Sequence, residues 1–500
     1  MKPLFTLLII LSTIVLAEQK PNFIFIMADD MGFGDLEAYG HNTNLKTPHL
    51  NAMATNGMLF NNFYSQAPVC SPTRFSCYTG RHPFRTGIWE ANQGSLRDEE
   101  ITLPEVLKKH GYRTGHFGKW HLGQMVDDPK LGKGTRMPMA APQNNGVDDW
   151  FAVHSCVPTF NPYGPESKEA AESDNAYYQN GVRVTENMAG DSSRIIMDRA
   201  LPFIKKAVNE QIPFSTYIWF NTPHAPVSGN PEWQSTYEPS VGKAWQYYSN
   251  LADMDKQVGR LRAELKKMGI ADNTMLCFTS DNGPVSHGSA GPFRASKRHL
   301  FDGGIHVPGI IEWPARVAKG SKTDAIACTT DYFLTALEAA GIDYHSPHAM
   351  DGQSLLPILT QKENTREKPL LFQSHGSQVV LTEKFKAMRV YEGAFSQQHA
   401  QEAGLILGEW GLFDRSNDEG ENKNIASAHP EVLSKSSKIF ELWDKSLQNS
   451  YLGKEFGEAG QKYADGSYRS NGGLKGKSQK KNKKSKSGKK SKKNKNTTKI

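Results

Sequence analysis

Residues 22–30 read NFIFIMADD, an apolar run that ends in two adjacent aspartates. A short, continuous apolar run predicts a strand that is buried on both faces of a sheet. Further strand-like runs alternate along the chain with segments that have apolar residues at helical spacing: strands at 112–117, 214–220 and 274–279, and helices at 47–57, 103–110 and 244–268. Strands that alternate with helices predict an α/β sheet covered on both faces.

Oxygen-bearing side chains follow two of these strands. Asp29 and Asp30 end the first run, and Asp281 and Asn282 end the run at 274–279. In open α/β sheets, ligands bind outside the carboxyl ends of the strands. A turn explains either pair alone, but three carboxylates placed together repel one another and need a compensating cation. Their co-occurrence therefore predicts a site for Ca²⁺ or Mg²⁺, which both prefer oxygen ligands.

The stretch 70–81 reads CSPTRFSCYTGR and contains the pattern C-x-P-x-R. Pro72 predicts the first turn of a helix, so that Arg74 lies one turn beyond Cys70. A helix whose cysteine packs in the core explains the same residues equally well. The pattern alone does not decide between a structural and a functional Cys70.

Basic side chains occur at further strand ends and turns. Lys119 and His121 follow a strand, and an extended backbone would point both side chains the same way. His224 lies between two prolines on a stiff segment, and Lys297 precedes the sequence Asp302-Gly303-Gly304, which predicts a tight, glycine-dependent turn. Each of these groups is also explained as a solvated loop charge.

The two ends of the chain differ in composition from its body. Lys2, an apolar run and Ala17 predict a secretory signal peptide at residues 1–17. This run is too short for a comfortable membrane span, and no other stretch is long enough. The sequence therefore predicts an exported protein, periplasmic or secreted, with no transmembrane segment.

The C-terminal end is a lysine-rich tail, predicted as disordered from residue 466 to residue 500. It holds 13 lysines and no acidic residue between Lys475 and Lys499. The formal net charge of the chain is +7, and without these lysines and Lys2 it is −7, so the body indicates no nucleic-acid partner. The tail is either simply solvated or an electrostatic contact with polyanions.

Five cysteines are present, and four remain for three possible pairings if Cys70 has another role. Cys277 and Cys328 lie in apolar, strand-like runs, so we expect buried free thiols there. The sequence does not predict a scaffold held by disulfides.

Several stretches resemble, in order, the type I (formylglycine-dependent) sulfatases, and they look closest to the arylsulfatase A-like group. They are the segments at 21–40, 47–88 and 111–123, and the shorter motifs NTPHAP, FTSDNG, K-x4-[DE]-G-G and 412–432. The resemblance spans about residues 20–445. It implies an alkaline-phosphatase-like fold with a mixed central sheet flanked by helices and a smaller C-terminal α+β subdomain. The domains it implies are a catalytic domain at 18–367 and a C-terminal subdomain at 368–465, between the signal peptide and the tail.

The resemblance also implies the site residues and their roles. A formylglycine-generating enzyme would oxidise Cys70 to formylglycine, whose hydrate attacks the sulfur of a sulfate ester. A divalent cation, Ca²⁺ or Mg²⁺, would be held by residue 70 together with Asp29, Asp30, Asp281 and Asn282. The remaining roles are these: Arg74 holds the hydrate, Lys119 and Lys297 hold the sulfate oxygens, His224 protonates the leaving oxygen, and His121 accepts a proton so that sulfate is released.

The implied activity is hydrolysis of a sulfated carbohydrate or an aryl sulfate. Two alternatives remain: a phosphonate or phosphate monoester hydrolase of the same fold, and a non-catalytic binder of sulfated polymer. Departures from the family pattern are Thr73, Cys77, Asp302 and a missing proline at 418–420, and none touches the core of the motif. We expect specificity in loops between Gly123 and Asp191, around His287 and in the C-terminal subdomain, with His154 and Asn92 as candidate contacts.

Overall fold

The first strand, β1 (Asn22–Ala28), is buried along its whole length. Its side chains alternate between two hydrophobic cores. Phe23, Phe25 and Met27 pack into one core, whereas Ile24, Ile26 and Ala28 pack into the other. A strand that is apolar on both faces requires cover on both. The cores on its two sides confirm the predicted α/β sheet.

The computed structural model describes residues 20–127, 138–163 and 176–457. After β1, the strands are β2 (Met58–Phe60), β3 (Phe63–Tyr64), β4 (Arg113–Lys119), β5 (Asp149–Val153), β6 (Tyr177–Gln179), β7 (Val182–Arg183), β8 (Phe214–Trp219), β9 (Thr274–Ser280), β10 (Gly309–Glu312), β11 (Ser321–Thr323), β12 (Ala327–Cys328), β13 (Leu370–Ser374), β14 (Ser377–Leu381), β15 (Phe385–Val390) and β16 (Trp410–Asp414).

Ten of these strands form the central sheet, in the order β11-β2-β10-β9-β1-β8-β4-β5-β6-β7. The middle of the sheet, from β9 to β5, is parallel, whereas β10, β6 and β7 pair antiparallel with their neighbours. The sheet is therefore mixed, as the resemblance implied. Its parallel centre brings the carboxyl ends of β1, β4, β8 and β9 to one edge, where the predicted site residues follow.

The helices of the described chain are α1 (Pro48–Asn56), α2 (Cys70–Thr79), α3 (Leu103–Lys109), α4 (Ser192–Asn209), α5 (Gln234–Val241), α6 (Trp245–Lys267), α7 (Asp302–Ile305), α8 (Asp331–Ala339), α9 (Leu356–Leu359), α10 (Gln397–Glu402) and α11 (Pro430–Tyr451). Helices α4 and α6 contribute to the core on one face of the sheet, and α2, α3 and α8 to the core on the other. The prediction of a tight turn at Asp302-Gly303-Gly304 is wrong, because these residues begin the short helix α7.

The last part of the described chain is a four-stranded antiparallel sheet, β13-β14-β15-β16. One face is covered by α11, whose Phe440 and Leu447 pack with Val380 of β14 and Leu412 of β16. The other face packs against the first part of the chain, where Phe301 and Ile305 join the core of this sheet. This arrangement is the α+β subdomain that the resemblance implied, while the predicted domain boundaries stay predictions.

Some predicted features fall on residues that the structure does not describe. The signal peptide at 1–17 and the tail from 466 lie outside the described residues, as do parts of the loop region between Gly123 and Asp191. Among the helices of the described ranges, none has the length and apolar content needed to cross a membrane. All five cysteines are free, and Cys277 and Cys328 are buried as predicted.

Candidate active site

The predicted oxygen ligands converge where β1 and β9 end side by side. Asp29, Asp30, Asp281 and Asn282 are all buried. The backbone N–H of Asp30 donates to Asp281 Oδ1 at 3.1 Å, and Asn282 Nδ2 donates to Asp30 Oδ1 at 2.7 Å. Asp30 adopts a φ of 69°, a left-handed conformation that costs energy for a residue other than glycine. These bonds hold Asp30 in place, and a carboxylate oxygen of Asp30 lies within 4.8 Å of Cys70 Sγ.

Cys70 begins α2, and every residue of this helix is buried. Its Sγ donates to Asp29 Oδ1 at 3.5 Å and accepts a hydrogen bond from Lys297 Nζ at 3.3 Å. Burial raises the pKa of the Cys70 thiol, and the negative charge of Asp281 adds to that effect. The helix ends at Gly80, whose φ of 68° fits the left-handed cap that glycine favours. The helix therefore places Cys70 against the carboxylates rather than in an apolar core.

Two fully buried cations neutralise these carboxylates. Arg74 Nη2 donates to Asp281 Oδ2 at 2.6 Å and lies 3.4 Å from Asp29 Oδ1, while Lys119 Nζ donates to Asp29 Oδ2 at 2.7 Å. Burial alone would raise the pKa of Asp29, but Lys119 and the neighbouring cations outweigh it and hold the pKa below its usual range. In the structure, Arg74 and Lys119 thus contact carboxylates, and their predicted contacts with hydrate and sulfate stay predictions.

Lys297 reaches the site because its segment lies directly on α7. A Cβ atom at Gly303 would lie 2.2 Å from the carbonyl oxygen of Ala295, and one at Gly304 would lie 2.1 Å from that of His299. Only glycine allows this approach. Lys297 Nζ then donates to Asp30 Oδ1 at 2.5 Å, and the side chain stays 12% exposed. Unlike Arg74 and Lys119, this cation is accessible from outside the cluster.

His224 lies beside Asp30 and is partly exposed. Its Nε2 lies 3.6 Å from Asp30 Oδ2, and its side chain is 21% exposed. Burial lowers the pKa of His224, but the charge of Asp29 and hydrogen bonds to Cys156 and Cys70 outweigh burial and raise the pKa to about 11. A cation bound to the same carboxylates would lower this pKa, because it would neutralise their charge.

The backbone is not extended at His121, so the geometry from which parallel side chains of Lys119 and His121 were predicted is absent. The strand ends at Lys119, and His121 has a φ of 59°, which breaks the alternation of an extended backbone. Its Nε2 lies 2.9 Å from Asn92 Oδ1, and its Nδ1 is buried with no hydrogen-bond partner among the described residues. Burial and the charge of Lys119 hold the pKa of His121 well below its usual range.

The donor set fits a hard divalent cation. Single ligand atoms of Asp29, Asp30, Cys70 and His224 lie within 4.8 Å of one another. The buried Oδ1 of Asn282 has no hydrogen-bond partner among the described residues, although a buried polar atom normally has one. Burial and, after it, the charge of the neighbouring Asp29 raise the pKa of Asp281, and a cation bound there would oppose both effects by stabilising the carboxylate. Three carboxylates and a free amide oxygen match the ligands that Ca²⁺ and Mg²⁺ use.

The structure brings all ten predicted site residues to one edge of the sheet, and it adds others. Asn92, predicted only as a candidate contact, bonds to His121, and Ser155 Oγ lies 3.5 Å from the same Nε2. Sequence reasoning missed Ser155, and it also missed Glu90 and His375, whose side chains are hydrogen-bonded to each other next to the site. His287, expected near the specificity loops, is exposed. Glu90 and His375 are 285 positions apart, and no signal in the sequence joins them.

The fold and the site define the class of the protein. Carboxylates that can hold a cation, accessible cations that can bind an anion, and a residue that can supply a nucleophile lie together at the carboxyl edge of an α/β sheet. These are the components of a hydrolytic enzyme that acts on an anionic ester.

The chain belongs to the sulfatase family, because the family model described as "Sulfatase" matches residues 21–342. A second model, "N-sulphoglucosamine sulphohydrolase, C-terminal", matches residues 291–441. The protein is therefore a sulfuric ester hydrolase. Members of this family generally depend on formylglycine and a metal ion, and the resemblance seen in the motifs is confirmed.

Two curated relatives illustrate the similarity. A human N-acetylgalactosamine-6-sulfatase is 34% identical over 369 residues, which cover 69% of this chain and 67% of that protein. An N-acetylgalactosamine-6-O-sulfatase of Bacteroides thetaiotaomicron is 29% identical over 489 residues, covering 85% of this chain and 93% of that protein.

Solved structures share the fold. "Ps i-CgsB in complex with k-i-k-neocarrahexaose" superposes with a TM-score of 0.75 at 25% identity, over 86% of this chain and 94% of that one. A phosphonate monoester hydrolase of Agrobacterium radiobacter has a TM-score of 0.61 at 20% identity, over 85% of this chain and 96% of that one. The second likeness shows the fold alone.

Proposed function

We propose that this protein hydrolyses sulfate esters of carbohydrates, with Cys70 converted to formylglycine and Ca²⁺ held by the neighbouring carboxylates. One observation carries the proposal. Cys70 Sγ lies 3.5 Å from Asp29 Oδ1 and 3.3 Å from Lys297 Nζ, at the first residue of a buried helix. A cysteine with only a structural role would not need an acidic and a basic partner in a site rich in charge.

Asp29, Asp30, Asp281 and Asn282 would hold the cation. Bound there, a divalent ion supplies positive charge that stabilises the anionic oxygens of the substrate and of residue 70. Arg74 and Lys119 fix the positions of Asp29 and Asp281 through their hydrogen bonds, so these carboxylates need no rearrangement when a cation binds. We favour Ca²⁺ over Mg²⁺, because Ca²⁺ tolerates a less regular geometry of protein oxygens.

Lys297 and His224 are the cations that a substrate can reach. Their side chains are 12% and 21% exposed, whereas those of Arg74 and Lys119 are fully buried. Charge-assisted hydrogen bonds from Lys297 to the sulfate oxygens would strengthen as the ester bond breaks. His224 hydrogen-bonds to Cys70 and its side chain is partly exposed, so this ring is placed to donate a proton to the leaving sugar oxygen.

His121 is the group suited to accept a proton. Its low pKa keeps the ring neutral, and its Nδ1 carries no competing hydrogen bond from a described residue. If the amide oxygen of Asn92 accepts from Nε2, the free lone pair is on Nδ1. His121 would therefore act as the base that completes turnover at residue 70.

The names of the relatives support a carbohydrate substrate. Both curated relatives are N-acetylgalactosamine-6-sulfatases, and the neighbouring structure holds an oligosaccharide. We therefore propose 6-O-sulfated N-acetylgalactosamine as the first substrate to test, ahead of aryl sulfates. We also propose export, and contact of the lysine-rich tail with polyanions, both of which rest on the sequence.

The test combines a mass measurement with an assay. The tryptic peptide from Thr47 to Arg74 is analysed from protein made in a host that has the formylglycine-generating enzyme. We expect the mass of an aldehyde in place of the thiol, and hydrolysis of sulfate esters well above that of matched phosphate esters. An unmodified, inactive protein that still binds sulfated polymer would favour a binder, and faster phosphate hydrolysis would favour a phosphomonoesterase.

A further inference from the structure

The segment that brings Lys297 to Cys70 continues into Arg298. The backbone N–H of Arg298 donates to the carbonyl oxygen of Pro68 at 2.8 Å, only two residues before Cys70. A φ of 77° turns the chain at this point. The exposed side chain of Arg298 runs outward, and its guanidinium group lies 5.8 Å over the ring of Phe395. Arg298 therefore lies at the margin of the site, between the catalytic part and the C-terminal subdomain.

Phe395 is exposed but held in place. Half of its surface is accessible, at 50%. Its backbone N–H donates to the carbonyl oxygen of His375 at 3.2 Å, and its ring lies 4.8 Å from that of His299 and 6.0 Å from that of His375. An exposed phenyl ring with rigid supports is a suitable surface for the apolar face of a sugar ring.

Glu90 lies on the catalytic side of the boundary with the C-terminal subdomain and contacts His375 across it. Its carboxylate pairs with His375 Nε2, and its Oε1 accepts from the backbone N–H of Ala91 at 3.0 Å. Burial raises the pKa of Glu90, but these bonds and the charges of His375 and Arg298 outweigh it and lower the pKa. Two residues further on, Asn92 bonds to His121 and to Ser71 Oγ. The loop that carries Glu90 thus lies against the catalytic residues.

The charges in this group leave Arg298 available. Glu90 attracts Arg298, but its two carboxylate oxygens already bond to His375 and to the backbone of Ala91. The guanidinium carbon of Arg298 lies 5.8 Å from the centre of the Phe395 ring, and no hydrogen bond or ion pair with a described residue occupies the N–H groups, which can bind an anion with paired hydrogen bonds. A sulfate bound at Lys297 would be one residue away along the chain.

We propose that Arg298 and Phe395, supported by Glu90 and His375, form a second subsite that binds the sugar next to the sulfated ring and an acidic substituent on that sugar. The proposal rests on the proposed function and narrows its substrate class. The enzyme would act on an acidic carbohydrate chain rather than on an isolated sulfate ester. The acidic substituent is a carboxylate or a second sulfate, since both match the guanidinium group.

The test compares Arg298→Ala and Phe395→Ala with the wild type on four substrates. The first is 4-nitrophenyl sulfate, and the second is a disaccharide of 6-O-sulfated N-acetylgalactosamine and a uronic acid. The third is this disaccharide with its carboxylate reduced to an alcohol. The fourth is the reduced disaccharide with a second sulfate on the reduced sugar. Arg199→Ala is the matched control, because its guanidinium also lies over an aromatic ring, 5.3 Å from that of Phe151.

We expect Arg298→Ala to lower kcat/KM about 10- to 100-fold on an acidic disaccharide, which corresponds to about 1.4–2.7 kcal/mol, because a charge-assisted pair is lost. Its activity on 4-nitrophenyl sulfate and on the reduced disaccharide should stay within about twofold of wild type. Phe395→Ala should affect all disaccharides but not the aryl sulfate. Whether the uronate or the second sulfate shows the larger loss identifies the acidic group.

Equal losses on all four substrates, or no loss on any, would overturn the subsite while leaving the sulfatase function intact. A binding experiment separates the two proposals. Titration of the acidic disaccharide into Cys70→Ala should show weaker binding when Arg298→Ala is added. If the wild type hydrolysed no sulfate ester and this difference persisted, the proposed function would fall and the subsite would stand.

Discussion

Two buried ionic clusters in this chain have similar components and different roles. In the first, Asp29, Asp30 and Asp281 meet Arg74, Lys119 and Lys297 at the edge of the central sheet. In the second, Lys386 Nζ of the C-terminal sheet lies 2.6 Å from both Asp302 Oδ1 and Glu421 Oε1. A cavity of about 660 Å³ borders the second cluster and not the first. Neither buried charge nor cavity volume therefore identifies the active site.

The difference lies in what the charges surround. The first cluster encloses the thiol of Cys70 and, among the described residues, an amide oxygen of Asn282 without a hydrogen-bond partner; its Lys297 and the adjacent His224 are accessible. In the second cluster, a lysine on β15 bonds to carboxylates that precede and follow it in the chain, with side chains at most 9% exposed. The first cluster is arranged for a ligand, whereas the second joins the subdomain to the catalytic part.

Replacement of Cys70 by alanine should give the largest effect on the first cluster. We expect kcat to fall at least about 10³-fold, which corresponds to about 4 kcal/mol of transition-state stabilisation, while the free energy of unfolding does not decrease by more than about 1 kcal/mol. Steady-state kinetics and urea unfolding test this. Cys77→Ala on the same buried helix is the control, and it should keep its activity. Retained turnover in Cys70→Ala would contradict the assigned nucleophile.

Replacement of Lys386 by methionine should lower the stability of the protein and leave its activity nearly unchanged. It leaves Asp302 and Glu421 buried without their common cation, which costs about 3–5 kcal/mol of unfolding free energy. Activity per folded molecule should stay within about threefold of wild type. Chemical denaturation and assays below the transition measure both effects. The exposed Lys384→Met should change stability by less than about 0.5 kcal/mol. A catalytic defect in folded Lys386→Met would show that the two clusters are coupled.

Removal of the divalent cation should affect only the first cluster. A ligand at 100 times its Kd stabilises a protein by about 2.7 kcal/mol, so chelation should lower both Tm and activity, and added Ca²⁺ should restore them. Calorimetry with Ca²⁺ and with Mg²⁺ would identify the preferred ion. Lys386→Met should show the same Ca²⁺-dependent rise in Tm, whereas Asn282→Leu should show a smaller one. An unchanged Tm after thorough chelation would argue against a cation site.

Acidification should weaken the boundary with the C-terminal subdomain. Burial lowers the pKa of His82 to about 3, and Asp351 offsets this only in part. The ring of His82 lies edge-on to Trp443 of α11 at 4.8 Å. In the unfolded chain the pKa returns to about 6.5, so below that pH only the unfolded state binds this proton. The free energy of unfolding therefore keeps its full value above about pH 6.5 and is about 2 kcal/mol lower at pH 5.

Urea unfolding at pH 7 and at pH 5 measures this effect. His82→Asn should have a smaller loss of stability between the two pH values than the wild type, whatever its absolute stability. The exposed His345→Asn should match the wild type in its pH dependence, since its side chain is 90% exposed. Identical slopes for His82→Asn and wild type would show that other groups cause the acid sensitivity.

The sheet could be predicted from local patterns, and the meeting of the ten candidate residues at one edge from those patterns together with the family resemblance, while their roles stay predictions. Apolar runs such as 22–28 require cover on two faces, and the residues that follow parallel strands must meet at one edge. The left-handed backbone of His121 could not be predicted, since no local pattern marks the point where the chain leaves the extended conformation after β4. The pairing of Glu90 with His375 also could not, because the contact depends on how the subdomain packs rather than on any local pattern.

The burial of α2 means that any enzyme that modifies Cys70 must act before this helix packs. Once this helix has packed, Cys70 is only 1% exposed and every residue from Cys70 to Thr79 is buried, so the side chain is no longer presented to a modifying enzyme. Under the proposed conversion to formylglycine, the modifying enzyme must therefore act on the nascent chain before the central sheet closes. A molecule that folds first keeps its thiol permanently, so the rate of folding relative to modification determines the fraction of active enzyme that a cell produces.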